Sequence, residues 1–256
     1  MINVAILGCN GKMGHFVVEA VKNNENCNIM FGVDAFGESE YDFPVYKSFS
    51  DTTDVADVII DFSNPATLDG MLEYAIKNTV PCVICTTGFS TEQIKKIDDA
   101  SEKIAVFRSG NMSLGINLLI ELTKEATKVI GNDFDIEIIE KHHNLKVDAP
   151  SGTALMIADG ISETLENEPQ YVYDRHTYRK MRASNEIGSH AVRGGTIVGE
   201  HEVIFAGHDE VITITHQAQS KEVFAVGSVN AAVFLSAQKA GKYDMKNLLS
   251  SKLWLI

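Results

Sequence analysis

His142, His143 and Lys146 stand close together in the chain, and the turn Pro150-Ser151-Gly152-Thr153 follows almost at once. Each residue type has a chemical use. A histidine can give or take a proton near neutral pH, and a lysine adds a compact positive charge. Where a turn opens a helix, backbone N–H groups such as those of Gly152 and Thr153 point outward and attract an anion. Pro150 restricts Ala149 to an extended conformation, as suits a chain about to enter that helix. With Lys141, these side chains gather cations in a chain of net charge -13. An anionic ligand would be drawn here against the field of the whole molecule. The chemistry that fits is capture of a small anion with a proton donor beside it.

Other readings of these residues are narrower. A metal pair of histidines needs a nearby Cys or a Glu-x-x-His, and none completes a site, so no metal is expected. Neighbours on an extended chain face opposite ways, so core packing explains one histidine at most. Ser151 has no evident partner for nucleophilic catalysis. His201, on a strand, reads as structural, and His176, His190 and His208 receive no role. Arg193-Gly194-Gly195-Thr196 and Gly199-Glu200-His201 either shape the same pocket or form surface structure.

A second constellation lies near the N-terminus. Gly8-Cys9-Asn10-Gly11-Lys12-Met13-Gly14 follows an apolar strand and opens a helix. Glycines there let the backbone turn sharply and approach a pyrophosphate at the helix N-terminus. Asp34 ends the next strand about twenty residues on, where an acid binds a ribose hydroxyl. A carboxylate favours the free hydroxyl of NADH over the phosphate of NADPH. Ala35-Phe36 brings no cation, although Lys12 could reach that phosphate, so NADH is slightly favoured and dual use is open. Thr86-Thr87-Gly88-Phe89 and Ser109-Gly110-Asn111-Met112 sit at the C-terminal ends of later strands, the edge where such sheets bind ligands. Both could touch the nicotinamide half or be ordinary polar loops.

The elements that must position these groups fall into two textures. Over the first part, strand-like runs at 3–7, 28–33, 55–62, 81–86 and 104–108 alternate with helical stretches at 13–22, 66–77 and 91–103. Pro65 suits a first helical turn and Ser90 or Thr91 an N-cap. That alternation predicts a Rossmann-like, doubly wound parallel sheet. A helix over 113–130, with Leu114, Leu118, Leu122 and Ala126 on one face, leads out of it. Alternating strands at 135–141, 200–206 and 210–216, with a helix at 153–165, predict a second, α+β domain with a mixed sheet. Residues 167–193 read as a long loop, 224–240 as helix, and 243–256 as a tail packing back on the first domain. The expected division is 1–112 with 221–256 for dinucleotide binding, and 113–220 for substrate binding and oligomerisation.

Composition excludes several classes. The 256 residues are 45% hydrophobic and 22% charged, ordinary for a soluble globular protein. The acidic balance argues against nucleic acid, no run approaches a membrane span, and residues 1–8 lack the basic start and long apolar core of a signal peptide. A cytoplasmic protein is expected. Cys82 and Cys85 would point to opposite faces of a strand, so buried, reduced thiols are expected rather than a redox pair.

On these motifs the chain resembles the 4-hydroxy-tetrahydrodipicolinate reductase family, long called dihydrodipicolinate reductases. The resemblance runs from the glycine turn through Thr-Thr-Gly-Phe, Ser-Gly-Asn-Met and Arg193-Gly-Gly-Thr-Ile-Val-Gly-Glu-His201. Its most specific part is E-x-H-H-x-x-K-x-D-A-P-S-G-T-A, complete at 140–154. The resemblance implies an NADH- or NADPH-dependent reductase of the diaminopimelate–lysine pathway, usually a homotetramer joined through second-domain sheets. It implies His142 as proton donor or acceptor and Lys146 as second donor or carboxylate clamp. His143, Gly152 and Thr153 would contact a substrate carboxylate. Gly8, Cys9, Asn10, Gly11, Lys12, Met13, Asp34, Cys85, Thr86, Thr87, Ser109, Gly110, Asn111 and Met112 would contact the cofactor. Cys85 stands where the family commonly has Gly, Ala35 where many members have a basic residue, and Lys221 where arginine is frequent. A related reductase of another small dicarboxylate or imino acid, or a nucleotide sensor without turnover, are the competing readings. A sensor would have no need of the histidines and lysine.

Overall fold

The computed structural model describes residues 1–37 and 41–253. The chain divides into two compact units, Met1–Leu114 with Lys221–Ile256, and Gly115–Ser220. The first is built on seven strands: β1 (Ile2–Leu7), β2 (Cys27–Val33), β3 (Val45–Tyr46), β4 (Val58–Asp61), β5 (Cys82–Ile84), β6 (Ala105–Arg108) and β12 (Gly241–Tyr243). Their order is β12-β6-β5-β4-β1-β2-β3, and every pairing is parallel. Parallel strands are covered on both faces, which is why these runs are apolar throughout rather than alternating. Val58, Ile59 and Ile60 are wholly buried.

Two helices on one face, α1 (Lys12–Lys22) and α6 (Glu222–Leu235), bury Val17, Val18 and Val21 with Ala225, Val229 and Leu235. On the other, α2 (Leu68–Asn78) and α3 (Thr91–Ser101) bury Leu68, Met71, Leu72 and Ile97. Chain order reverses beside β1, which pairs with β2 on one side and β4 on the other. Such a switch point opens a crevice at the strand ends. Ser90 caps α3 in a full capping box with Gln93. Pro65 begins a short 3-10 turn ahead of α2 instead of the helix proper. The predicted tail supplies β12, an edge strand of this sheet, and α7 (Met245–Leu253); its last three residues lie outside the described ones.

The second unit holds a five-stranded mixed sheet ordered β11-β10-β7-β9-β8. Its strands are β7 (Asp135–His142), β8 (Gln170–Val172), β9 (Glu186–Arg193), β10 (Gly199–Ala206) and β11 (Val211–Ala218). Strand β10 runs antiparallel to β7 and β11, and β9 runs parallel to β7 and β8. One face packs Ile136, Ile138, Val203 and Phe205 against Leu119 of α4 (Leu114–Ile130) and Ile157 and Ile161 of α5 (Gly152–Ser162).

Two expectations need correction here. Residues 167–193 are not one loop, because they contain β8 and the interior strand β9. Gly188 lies under the Glu137 carboxylate, where an added Cβ would meet Oε2 at 1.7 Å. The leucine stripe of α4 is not its packed face either. Leu118 and Leu122 are 41% and 48% exposed, whereas Ile116, Leu119, Thr123 and Thr127 are buried. Thr127 Oγ1 donates to the Thr123 carbonyl at 2.7 Å, and Thr123 Oγ1 to that of Ile120 at 2.8 Å, so both hydroxyls are satisfied in the interior.

Candidate active site

In the second unit, the alternation of β7 sorts the motif. Glu140 and His142 lie on the buried face and Lys141 on the other. Lys141 therefore leaves the predicted cation cluster: its Nζ pairs with Glu200 Oε2 at 2.9 Å, directly across the β7–β10 ladder. His142 and Arg193 end two parallel strands in register. Between them sits Glu140, wholly buried. Its Oε2 accepts from Arg193 Nη1 at 2.8 Å and its Oε1 from Arg193 Nη2 at 2.7 Å, a two-pronged ion pair.

His142 Nδ1 lies 2.5 Å from Glu140 Oε2, and Ser151 N donates to Oε1 at 3.0 Å. Burial works to raise the Glu140 pKa, but Arg193, His142 and the Ser151 N–H outweigh it and hold the carboxyl below its ordinary value. An ionised carboxylate only accepts, so Nδ1 of His142 carries the hydrogen and Nε2 is left to act. Burial also lowers the pKa of His142; Glu140 opposes this, while Lys146 and Arg193 add to it. Gly199 keeps Nε2 approachable, since a Cβ there would lie 3.2 Å from that atom.

The loop after β7 is clasped by the turn after β9. Gly194 N donates to the His142 carbonyl at 2.9 Å, and Asn144 N to that of Gly195 at 3.2 Å. Gly195 has φ +49, a conformation that suits glycine. Arg193 Nη2 also donates to the Asp148 carbonyl at 2.6 Å. Lys146 Nζ lies 2.8 Å from Asp148 Oδ1. Nδ1 of His143 is buried and has no hydrogen-bond partner among the described residues. Ser151 caps α5, its Oγ accepting from Ala154 N at 3.1 Å, and lies 3.2 Å from His201 Nε2. The His201 ring meets His142 edge to face, with centroids 5.2 Å apart. Burial, with the charge of His142 next, pushes the pKa of His201 down to about 4. His190 binds Glu137 at 2.7 Å, a contact that its sequence surroundings gave no reason to expect.

In the first unit the glycine turn has the shape a dinucleotide needs. Gly8 has φ +83, and a Cβ on Gly14 would lie 2.1 Å from the Gly8 carbonyl oxygen. No side chain caps α1 at Gly11 and no acid stands in its first turn, which suits that helix start to a phosphate. Asp34 is held by two backbone donors, Asn10 N on Oδ2 and Phe36 N on Oδ1, each at 3.1 Å. Gly8, Asn10, Gly11 and Asp34 line a cavity of about 240 Å³ with Phe36, Ser63 and Asn64. A second, of about 450 Å³, brings Thr86, Thr87 and Gly88 together with Ser109 and Gly110.

Cys9 and Met112 turn their side chains into the core and offer a ligand only backbone. Burial pushes the Cys85 thiol up as well, and all four cysteines are free. A larger cavity of about 480 Å³, beside Ser48, Ser50 and Asn78, carries none of the motif residues.

Sequence reasoning passed over Asp61 and Ser63. Asp61 ends β4 wholly buried, its pKa raised by that burial, and accepts from Ser63 Oγ at 2.5 Å. Ser63 N donates to Thr86 Oγ1 at 2.9 Å, tying two strand-end loops together. The signal was an acid closing an apolar run, the same one that marked Asp34. Glu140 had no role from the sequence and Arg193 only that of shaping the pocket, because nothing local joins residues so far apart in the chain.

A doubly wound sheet with an uncapped glycine turn and a fixed strand-end carboxylate, in a chain that also carries a buried, carboxylate-bound histidine and a lysine, defines a pyridine-nucleotide oxidoreductase. Family models described as dihydrodipicolinate reductase, N-terminus and C-terminus, match residues 2–112 and 115–249. The 4-hydroxy-tetrahydrodipicolinate reductase of Caldanaerobacter subterraneus subsp. tengcongensis is 54% identical over 249 residues, covering 97% of this chain and 98% of its own. That of Clostridium tetani is 45% identical, with 98% of each chain covered. The dipicolinate-bound dihydrodipicolinate reductase of Paenisporosarcina superposes with TM-score 0.78 at 27% identity, over 95% of this chain and 97% of that one. A myo-inositol dehydrogenase of Corynebacterium glutamicum, at 13% identity, 99% and 94% coverage and TM-score 0.58, shares the fold alone. The chain belongs to the dihydrodipicolinate reductase family.

Proposed function

We propose that the chain reduces 4-hydroxy-tetrahydrodipicolinate, by way of dihydrodipicolinate, to tetrahydrodipicolinate in the diaminopimelate–lysine pathway. When bound, NADH or NADPH supplies the hydride. The first unit holds the cofactor through Gly8, Cys9, Asn10, Gly11, Lys12, Met13, Asp34, Cys85, Thr86, Thr87, Ser109, Gly110, Asn111 and Met112. The fixed carboxylate of Asp34 favours a free ribose hydroxyl, so NADH is the better fit. The second unit, 115–220, binds substrate: Gly152 and Thr153 at the start of α5, with His143 and Lys146, take a carboxylate.

Hydride addition leaves electron density on the substrate ring that an acid must quench. Lys146 has a proton to give. His142, whose pKa burial lowers, presents the Nε2 lone pair and suits taking or relaying a proton. The observation that carries this reading is the Glu140–His142 pair, because a buried carboxylate fixing one ring tautomer is built for directed proton movement.

The chain acts in the cytoplasm as a homotetramer. The free thiols support a reducing compartment. The face of the second sheet opposite α4 and α5 supports association, since it leaves Val211 61% and Val192 45% exposed beside Ile139 and Ile204. Light scattering that gave a monomer would exclude this.

Supplying the purified chain with NADH or NADPH, and with substrate made in place by the preceding synthase, tests the activity. Absence of cofactor oxidation with either nucleotide refutes it. Lys146→Ala is expected to slow turnover about 10²- to 10⁴-fold while leaving NADH affinity nearly intact.

A further inference from the structure

Lys146, read above as a carboxylate clamp, already has a carboxylate. Its Nζ sits 2.8 Å from Oδ1 of Asp148, in the same loop. Asp148 is not free to drift, because Arg193 Nη2 holds its backbone carbonyl at 2.6 Å and the same guanidinium grips buried Glu140. The Asp148 carboxyl is held below its ordinary pKa first by its bond to the Lys146 ammonium, which outweighs the opposing effect of burial. An internal carboxylate thus engages the cation that was assigned to a substrate carboxylate.

We propose that Asp148 is a tethered competitor, whose carboxylate occupies the Lys146 contact until a substrate carboxylate displaces it. The proposal rests on the reading of Lys146 given under Proposed function. Displacement is easy in structural terms: the Asp148 side chain is 51% exposed and can turn into water, while its anchor is backbone. Arg193 keeps the loop in place during the exchange. Asp148 then lowers the affinity of every ligand that places a carboxylate on Lys146, by the factor its own ion pair is worth. Were Asp148 instead an aid that points Lys146 at substrate, removing its charge would weaken binding. The two roles differ in sign.

Calorimetric titration with pyridine-2,6-dicarboxylate, on wild type and Asp148→Asn, reads that sign. Asp148→Asn is expected to tighten the dicarboxylate about two- to fivefold, the range an exposed ion pair supports, with NADH affinity unchanged. Repeating the pair in a Lys146→Gln background separates competition for Lys146 from loss of a nearby negative charge. Competition requires the gain to vanish there; a gain that persists overturns the proposal, as does unchanged or weaker binding in the single variant. Wild type that binds NADH but no dicarboxylate would refute the underlying functional reading as well. Wild type that binds it, with Asp148→Asn no tighter, would refute only the competitor.

Discussion

The glycine turn of the first unit and the 140–154 motif of the second both present a helix start, but they are made in opposite ways. The turn is made by omission. Gly8 and Gly14 serve because they have no Cβ, and α1 begins without a capping side chain. The motif is made by addition: a buried carboxylate, a guanidinium, two histidines and a capping serine hold one another by named hydrogen bonds. A site made by omission should break when atoms are added, and one made by mutual bonding should break when a charge is removed.

Arg193 offers the harshest test of the second kind. Arg193→Ala would leave the Glu140 carboxylate buried without its cation, and losing one partner of a buried pair costs about 3–5 kcal/mol. Denaturant unfolding should show that loss, whereas Arg193→Lys, which keeps the charge without the fork, should recover part of it. In any Arg193→Ala protein that folds, the pKa of His142 should rise, because the nearby guanidinium now helps to lower it. Titration of the ring by NMR would show the movement. An unmoved His142 would mean that Glu140 is neutralised in some other way.

His201 tests the same cluster through pH. Its pKa falls from 6.5 to about 4 on folding, so between those values the unfolded chain binds a proton that the folded one does not. Stability should therefore drop as pH falls through that window, by up to about 3 kcal/mol from this group. Above 6.5 the contribution is fully present. Thermal or urea melts across the window should give a shallower slope for His201→Gln than for wild type. Equal slopes would remove His201 from the account of acid lability.

The two constructions also explain what the sequence disclosed. Omission is a local property, so the glycine turn, Asp34 and the parallel sheet could be read from neighbouring residues. Mutual bonding joins residues far apart, such as Glu140 with Arg193 and Glu137 with Arg175, Arg182 and His190. Strand β9 escaped notice for that reason: Arg193 ends it, and its charge is satisfied by Glu140, 53 residues earlier in the chain. Lys141 was misplaced for a different reason. Strand alternation continues to His142, and following it that far separates Lys141 from Glu140 and His142 without any structure. The α4 face could not be read from apolar spacing, because buried threonines took the places where leucines were sought.

The smallest of these effects on stability belongs to the first unit, where a single methyl group is the probe. In Gly14→Ala the new Cβ would stand 2.1 Å from the Gly8 carbonyl oxygen and 2.5 Å from that of Cys9. Both are backbone atoms, so no side chain can swing aside, and either α1 must shift or the turn must open. Overpacking of this kind costs about 1–3 kcal/mol. The strain falls on the segment that would cradle the pyrophosphate, so NADH affinity should fall more than stability does. Binding of pyridine-2,6-dicarboxylate, a matter for the second unit, should change little. Arg193→Ala should show the reverse preference, sparing NADH and losing the dicarboxylate. Measuring both ligands on both variants completes the comparison. If Gly14→Ala and Arg193→Ala weaken the two ligands alike, the sites are not independent constructions and the contrast between omission and bonding fails.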